Sequence, residues 1–180
     1  MINKNKNQSG GTSQTGDNNT QNNNYIKNYL NPTEITSIIT KIANRFVEEI
    51  LNKQDLSEIK INKIGNNQSY TLDDKIDCNK VSKYKEEIFI AFELNHKIKN
   101  ILNEFDNIIA IYNFFSGLYS EAKREDINGG DNIISYVIKN TKKGIQLDRF
   151  DKTHLDITSL YFVLHSFIEC KILEKPKNAN

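Results

Sequence analysis

From Ile35 to Leu51 the apolar residues Ile35, Ile38, Ile39, Ile42, Phe46, Val47, Ile50 and Leu51 recur at three- and four-residue spacing. This is the period of one helix face. Asn31-Pro32-Thr33-Glu34 supplies a start for it, with Asn31 as cap, Pro32 at the first helical position and Glu34 able to reach back. A lone helix with so broad an apolar face is marginal in water and has to dock on something. The pattern returns with Val81, Tyr84, Ile88, Phe92, Ile98, Leu102 and Phe105, which predict one long helix, although Asn95 interrupts its apolar stripe. Ile108, Ile111, Tyr112, Phe115, Leu118 and Tyr119 predict a third helix, ending before Asn128-Gly129-Gly130. A fourth runs from a capping Asp131 through Ile134, Val137 and Ile138 to a terminating Gly144. The last begins after Asp151 or Thr153 and stops before Pro176.

Two places resist the pattern. Across residues 53–80, Ile59, Ile61 and Ile64 alternate with polar residues before a Gly-Asn-Asn-Gln-Ser break. A short strand and an extended linker fit equally well there, and the segment is treated as a linker. Asn95 is either a buried polar residue that fixes helix register or, the commoner case, an Asn at the edge of the stripe.

The resulting fold class is all-α, a helical bundle of about four to five helices joined by short connections. The closing helix presents Ile157, Leu160, Tyr161, Leu164, Phe167, Ile168 and Ile172 on one side and Phe162 and Val163 on others. One neighbour cannot cover that perimeter, so this helix is either the centre of the core or an interface.

Composition adds a tail to this picture. In a chain of 180 residues, 37% are hydrophobic and the mean hydropathy is −0.61. Residues 1–24 account for much of the deficit, being rich in Asn, Gln, Ser, Thr and Gly with no aromatic residue. Such a segment cannot bury enough surface to offset backbone entropy of about 1–2 kcal/mol per residue, so disorder is expected. The expected organisation is a tail over 1–24, an amphipathic helix with linker over 25–72, and a helical C-terminal domain over 73–176.

Charge and candidate chemistry mainly exclude. The 24 Lys and Arg against 23 Asp and Glu leave a formal charge of +1, with both signs alternating along each helix. A charge-driven nucleic-acid role is disfavoured. The start of the chain lacks the apolar core of a secretory signal, and no apolar run is long enough to span a membrane. A cytoplasmic location is expected. Cys78 and Cys170 lack metal or redox spacing and read as two reduced thiols, Cys170 buried as a small hydrophobe. Among the three histidines, His165 lies four residues before Glu169 on one helix face, half a metal site at most. Glu104 and Asp106 are two apart and project from different sides of a helix. The Asn128-to-Asp131 turn lacks phosphate-loop spacing, and Lys139, Lys142 and Lys143 complement a helix C-terminus without needing a ligand. No catalytic, cofactor or metal site is expected.

Three stretches taken together do match a known pattern. Asp74-Lys75-Ile76-Asp77-Cys78-Asn79 is followed by Ser82-Lys83-Tyr84-Lys85 and Ile88. Ile98 and Ile101 then lead to Glu104-Phe105-Asp106, and the chain closes on Phe167-Ile168, Cys170-Lys171-Ile172, Glu174 and Pro176. In order and spacing this resembles the C-terminal domain of ABC-three-component system proteins over about residues 73–176. It departs from that pattern at His165-Ser166, where Asp-Ala is common, at Glu169, where Arg is common, and in lacking a Gly after the Glu-Phe-Asp element. The resemblance implies a component of a prokaryotic conflict, or antiphage, system encoded with an ABC-type ATPase and a small middle component. In the family an effector module often precedes the domain; here a polar tail and one helix stand in its place. The implied role is that of a non-enzymatic adaptor whose partners are the ATPase and the middle component, with self-association left open.

The alternative from another class is a small regulatory or nucleic-acid-binding helical protein; a third, an enzyme using His165 and Glu169, needs a further acid or ligand beside them. The candidate partner interface is the face formed by Ile35, Ile38, Ile39, Ile42, Phe46 and Ile50, because the bundle looks complete without it. The other reading makes that helix one more member of the bundle. For the closing helix, core placement predicts that Phe167→Ala loses about 3–5 kcal/mol in two-state denaturant unfolding, whereas a loss under about 1 kcal/mol would place the ring outside the core.

Overall fold

The computed structural model describes residues 32–53, 56, 59, 71–106, 108–145 and 152–176. The expected tail, the Asn31 cap, and Ile61 and Ile64 of the linker lie outside the described residues. Within them the protein is all-helical, with no strand and seven α-helices. These are α1 (Pro32–Phe46), α2 (Leu72–Cys78), α3 (Lys85–Glu93), α4 (Asn95–Asn103), α5 (Ile108–Arg124), α6 (Gly130–Gly144) and α7 (Lys152–Ile168). A π-helical turn, Val47–Leu51, prolongs α1, closed by Asn52 N–H donating to the Val47 carbonyl at 2.9 Å.

Helix α7 is the axis of the molecule. It touches α1, α3, α4, α5 and α6, and every side chain from Tyr161 to Ile168 is buried. Of the two placements open to a helix with so much apolar perimeter, the structure adopts the central one. Helix α1 covers part of that perimeter. Phe46 stacks with Tyr161, ring centroids 6.2 Å apart, and meets Phe162 edge-on at 5.3 Å. Ile39, Ile42, Phe46 and Ile50 are fully buried, and Ile35 and Ile38 are partly buried against the same core. The face expected as a partner interface is therefore occupied inside the protein. The bundle is incomplete without α1, because α7 would otherwise expose aromatic surface.

Three boundaries differ from expectation. Residues 72–78, for which the 53–80 pattern predicts no helix, form α2. A capping box starts it, with Asp74 N–H donating to Thr71 Oγ1 at 3.1 Å and Thr71 N–H donating to the Asp74 carboxylate at 2.8 Å. The single helix expected from Val81 to Phe105 starts only at Lys85 and is divided at Leu94 into α3 and α4. The i to i+4 bonds persist across that point, Leu94 to Ile90 and Ile98 to Leu94 both at 3.0 Å, so the apolar stripe continues past the bend. The last helix ends at Ile168, well short of Pro176.

The last shortening has a backbone cause. Cys170 has φ of 56°, its N–H donates to the Phe167 carbonyl at 3.1 Å, and Lys171 N–H donates to Ser166 at 2.8 Å. This is the bonding of a Schellman stop, with cysteine where glycine is usual. Lys80 ends α2 and Asp126 ends α5 in the same way, at φ of 53° and 55°. Glycine is instead required at Gly130, where α6 presses on the chain between α2 and α3. A Cβ there would overlap the Asn79 carbonyl oxygen and lie 2.6 Å from Val81 Cγ2. Gly130→Ala is expected to destabilise the protein by about 1–3 kcal/mol in urea unfolding, through overpacking against backbone that cannot give way. Wild-type stability in that variant would mean the contact is slack.

Candidate functional site

Polar side chains inside a helical core need partners, and two clusters of such partners lie at the C-terminal end of α7. His165 is only 1% exposed. Asn95, at the head of α4, donates through Nδ2 to Glu169 Oε1 at 2.9 Å, which turns its Oδ1 toward His165 Nδ1 at 2.6 Å. Because an amide oxygen only accepts, Nδ1 carries the proton, and Nε2 is left to accept from the Tyr112 hydroxyl of α5 at 3.1 Å. The Glu169 carboxylate is met from outside by Lys99 at 3.6 Å. The result is a directed chain, Tyr112 to His165 to Asn95 to Glu169, joining α5, α7 and α4.

The electrostatics follow from burial. Desolvation pushes the His165 imidazole down to about 4 and the Tyr112 phenol up to about 12. Burial works against the Glu169 carboxylate, but the Asn95 bond and the neighbouring Lys99 outweigh it and hold its pKa below the usual value. His165 is thus a neutral, doubly bonded imidazole. Neither ring nitrogen has a lone pair left for a metal, and Asn95 stands between the ring and Glu169. Sequence reading paired His165 with Glu169 as half a metal site; what links them is an amide.

A second cluster joins α2 to the chain after α7. Lys75, 1% exposed, donates through Nζ to the Phe167 carbonyl and reaches Cys170 Sγ at 3.0 Å. Its ammonium also lies over the Phe167 ring, 4.5 Å from the centroid. Burial drives the Lys75 pKa down, opposed by the nearby Cys170 sulfur. Asn79 completes the clasp, its Nδ2 donating to the Glu174 carbonyl at 2.8 Å and its Oδ1 accepting from Glu174 N–H at 2.9 Å. Cys170 is half-buried and so is not the enclosed small hydrophobe expected; Cys78 is exposed, and the two form no disulfide.

The remaining candidates are structural in their surroundings. Glu104 accepts from Arg45 Nε of α1 at 3.1 Å. Asp131 accepts from the N–H groups of Ser82 and Lys83, all at 3.1 Å, so the Asn128-to-Asp131 turn serves the chain's own backbone. Lys142 pairs with Asp156 at 2.5 Å, and Lys143 bonds Asn140 at 2.8 Å. No group of three or more His, Cys, Asp or Glu able to hold a metal occurs among the described residues, and none of their helices is long and apolar enough to cross a membrane. Among the described residues Ile109, 72% exposed, is the large apolar side chain left at the surface, which is ordinary.

Lys75, Asn79 and Tyr112 were not singled out from the sequence as interacting groups. A lysine in a short helix reads as solvated, and its only local marker is the Thr71-to-Asp74 capping spacing. No protein-family model, curated protein or solved structure matches the chain.

The buried imidazole sets a pH dependence. Its folded pKa lies below the unfolded value of about 6.5, so the unfolded state takes up the proton first as pH falls. The stability that His165 contributes is complete above about pH 6.5 and is lost on descending toward about pH 4. Between pH 7 and pH 5 the wild type is expected to lose about 2 kcal/mol from this group in urea unfolding. His165→Gln, less stable at pH 7, should show a flatter profile over that interval; an unchanged slope would show that His165 titrates normally.

Proposed function

We propose that this chain is the non-enzymatic adaptor of an ABC-three-component conflict system, contacting an ABC-type ATPase and a middle component that carry the chemistry. The observation that carries this reading is the clasp. Lys75 and Asn79 belong to the opening stretch of the resemblance, and Phe167, Cys170 and Glu174 to its closing stretch. Although 92 to 95 residues apart, the two stretches bond to each other side chain to backbone and backbone to side chain. Residues that identify a domain by sequence and also lock its two ends are those a domain needs in order to fold as a unit.

The adaptor role is further supported by how the polar interior is used. The imidazole, the buried amine and the Asn79 amide all hold helices together. The nucleic-acid alternative gains nothing comparable. Basic groups alternate with acids and pair with them, Lys85 with Asp73 at 3.2 Å and Arg45 with Glu49 at 2.7 Å, so no basic stripe forms on these helices.

Partner contact falls elsewhere than on the α1 face, which the core consumes. Co-expression of the full tagged chain with the ATPase and middle component encoded beside it is expected to yield a complex that survives size-exclusion chromatography. Recovery of the chain alone, or the absence of an ABC-type ATPase gene from its neighbourhood, would overturn the proposal.

A further inference from the structure

The Lys75–Cys170 contact is unusual in three independent respects. First, an almost fully buried amine is spent on a thiol rather than on a carboxylate, with Nζ and Sγ 3.0 Å apart. Second, Cys170 occupies the left-handed position of a helix stop, at φ of 56°, where a side chain costs energy that glycine would avoid. Third, the two residues differ in access: Lys75 is enclosed, whereas Cys170 is half-buried. Burial also favours the neutral amine over the ammonium, and only the neutral form has a lone pair to donate.

We propose that Lys75 and Cys170 form an oxidation-dependent covalent cross-link, a sulfenamide between Nζ and Sγ. The oxidant is a peroxide. The Cys170 thiolate attacks one peroxide oxygen, an S–O bond forms, the O–O bond breaks, and the departing hydroxide takes up a proton to leave as water. The Lys75 amine then attacks the sulfenic sulfur. The S–N bond forms, the S–O bond breaks, and hydroxide leaves with a proton from the amine as a second water. Sulfur is oxidised by two electrons and the peroxide is reduced. One thiol, one amine and one peroxide give one sulfenamide and two waters, and excess dithiol reverses the reaction by returning thiol and amine.

The cross-link fastens α2 to the chain beyond α7, between residues 95 positions apart, at the place where the clasp already holds them. Cys78 is the competing partner, because a disulfide to Cys170 removes the same mass. The test therefore treats the full-length chain and its Cys78→Ser variant with hydrogen peroxide and measures intact mass and tryptic peptides. The expected result in both proteins is a species lighter by about 2 Da, resistant to trypsin after Lys75, with fragments joining Lys75 to Cys170, and reverting with dithiothreitol. Cys170→Ser and, separately, Lys75→Met should abolish it; two variants guard against one that fails to fold. A species lost in Cys78→Ser would assign the change to a disulfide and overturn the proposal. So would oxygen adducts on Cys170 with normal cleavage after Lys75.

Discussion

Helix α7 has no solvent face from Tyr161 to Ile168, and the rest of the molecule is arranged around that constraint. An α-helix presents side chains in every direction, so enclosing one takes several neighbours at once. Here α1, α3, α4, α5 and α6 divide the work. Burial of each Phe or Leu on α7 contributes about 1.5–3 kcal/mol relative to exposure, enough to draw in helices that would be marginal alone. Helix α1 is an example: its apolar stripe is complementary to the aromatic flank of α7, where Phe46 meets Tyr161 and Phe162.

Enclosing α7 also encloses its polar residues: Thr158 Oγ1 and Ser159 Oγ are buried with no hydrogen-bond partner among the described residues, whereas those nearer the C-terminal end are bonded from within the helix or from outside it. Ser166 bonds back to the Phe162 carbonyl at 3.0 Å, within the helix itself. His165 cannot do so and takes Asn95 from α4 and Tyr112 from α5. The carbonyl of Phe167, near the unsatisfied end of the helix, takes the Lys75 amine from α2. Removing one partner from such a network leaves the other group buried and unbonded, so each cluster ties its helices together more firmly than its bond energy implies.

What was legible in the sequence was periodic. The stripes of α1, α5 and α6 repeat over enough turns to be read, and the excess apolar perimeter of α7 narrows its place to the centre of the core or an interface. Helix α2 was missed because seven residues hold too few apolar positions to show a period, and only its capping spacing announces it. The end of α7 was overrun because the usual terminating glycine is absent and Cys170 takes its conformation. Of the polar clusters, the His165–Glu169 pair was visible because i and i+4 share a face. Asn95, Tyr112 and Lys75 come from other helices, and no local rule connects them. Asn95 is half-buried rather than buried, and it bridges α4 to α7 through His165 and Glu169.

The glycine-free helix stops bear on how the chain reaches this state. A left-handed residue with a side chain costs about 1–2 kcal/mol, so the reversals at Lys80, Asp126 and Cys170 gain nothing by forming in isolation. They become favourable only once the segments on either side have docked. These three turns are therefore held by the docking of the segments they join, and loosening that docking loosens the turns with it.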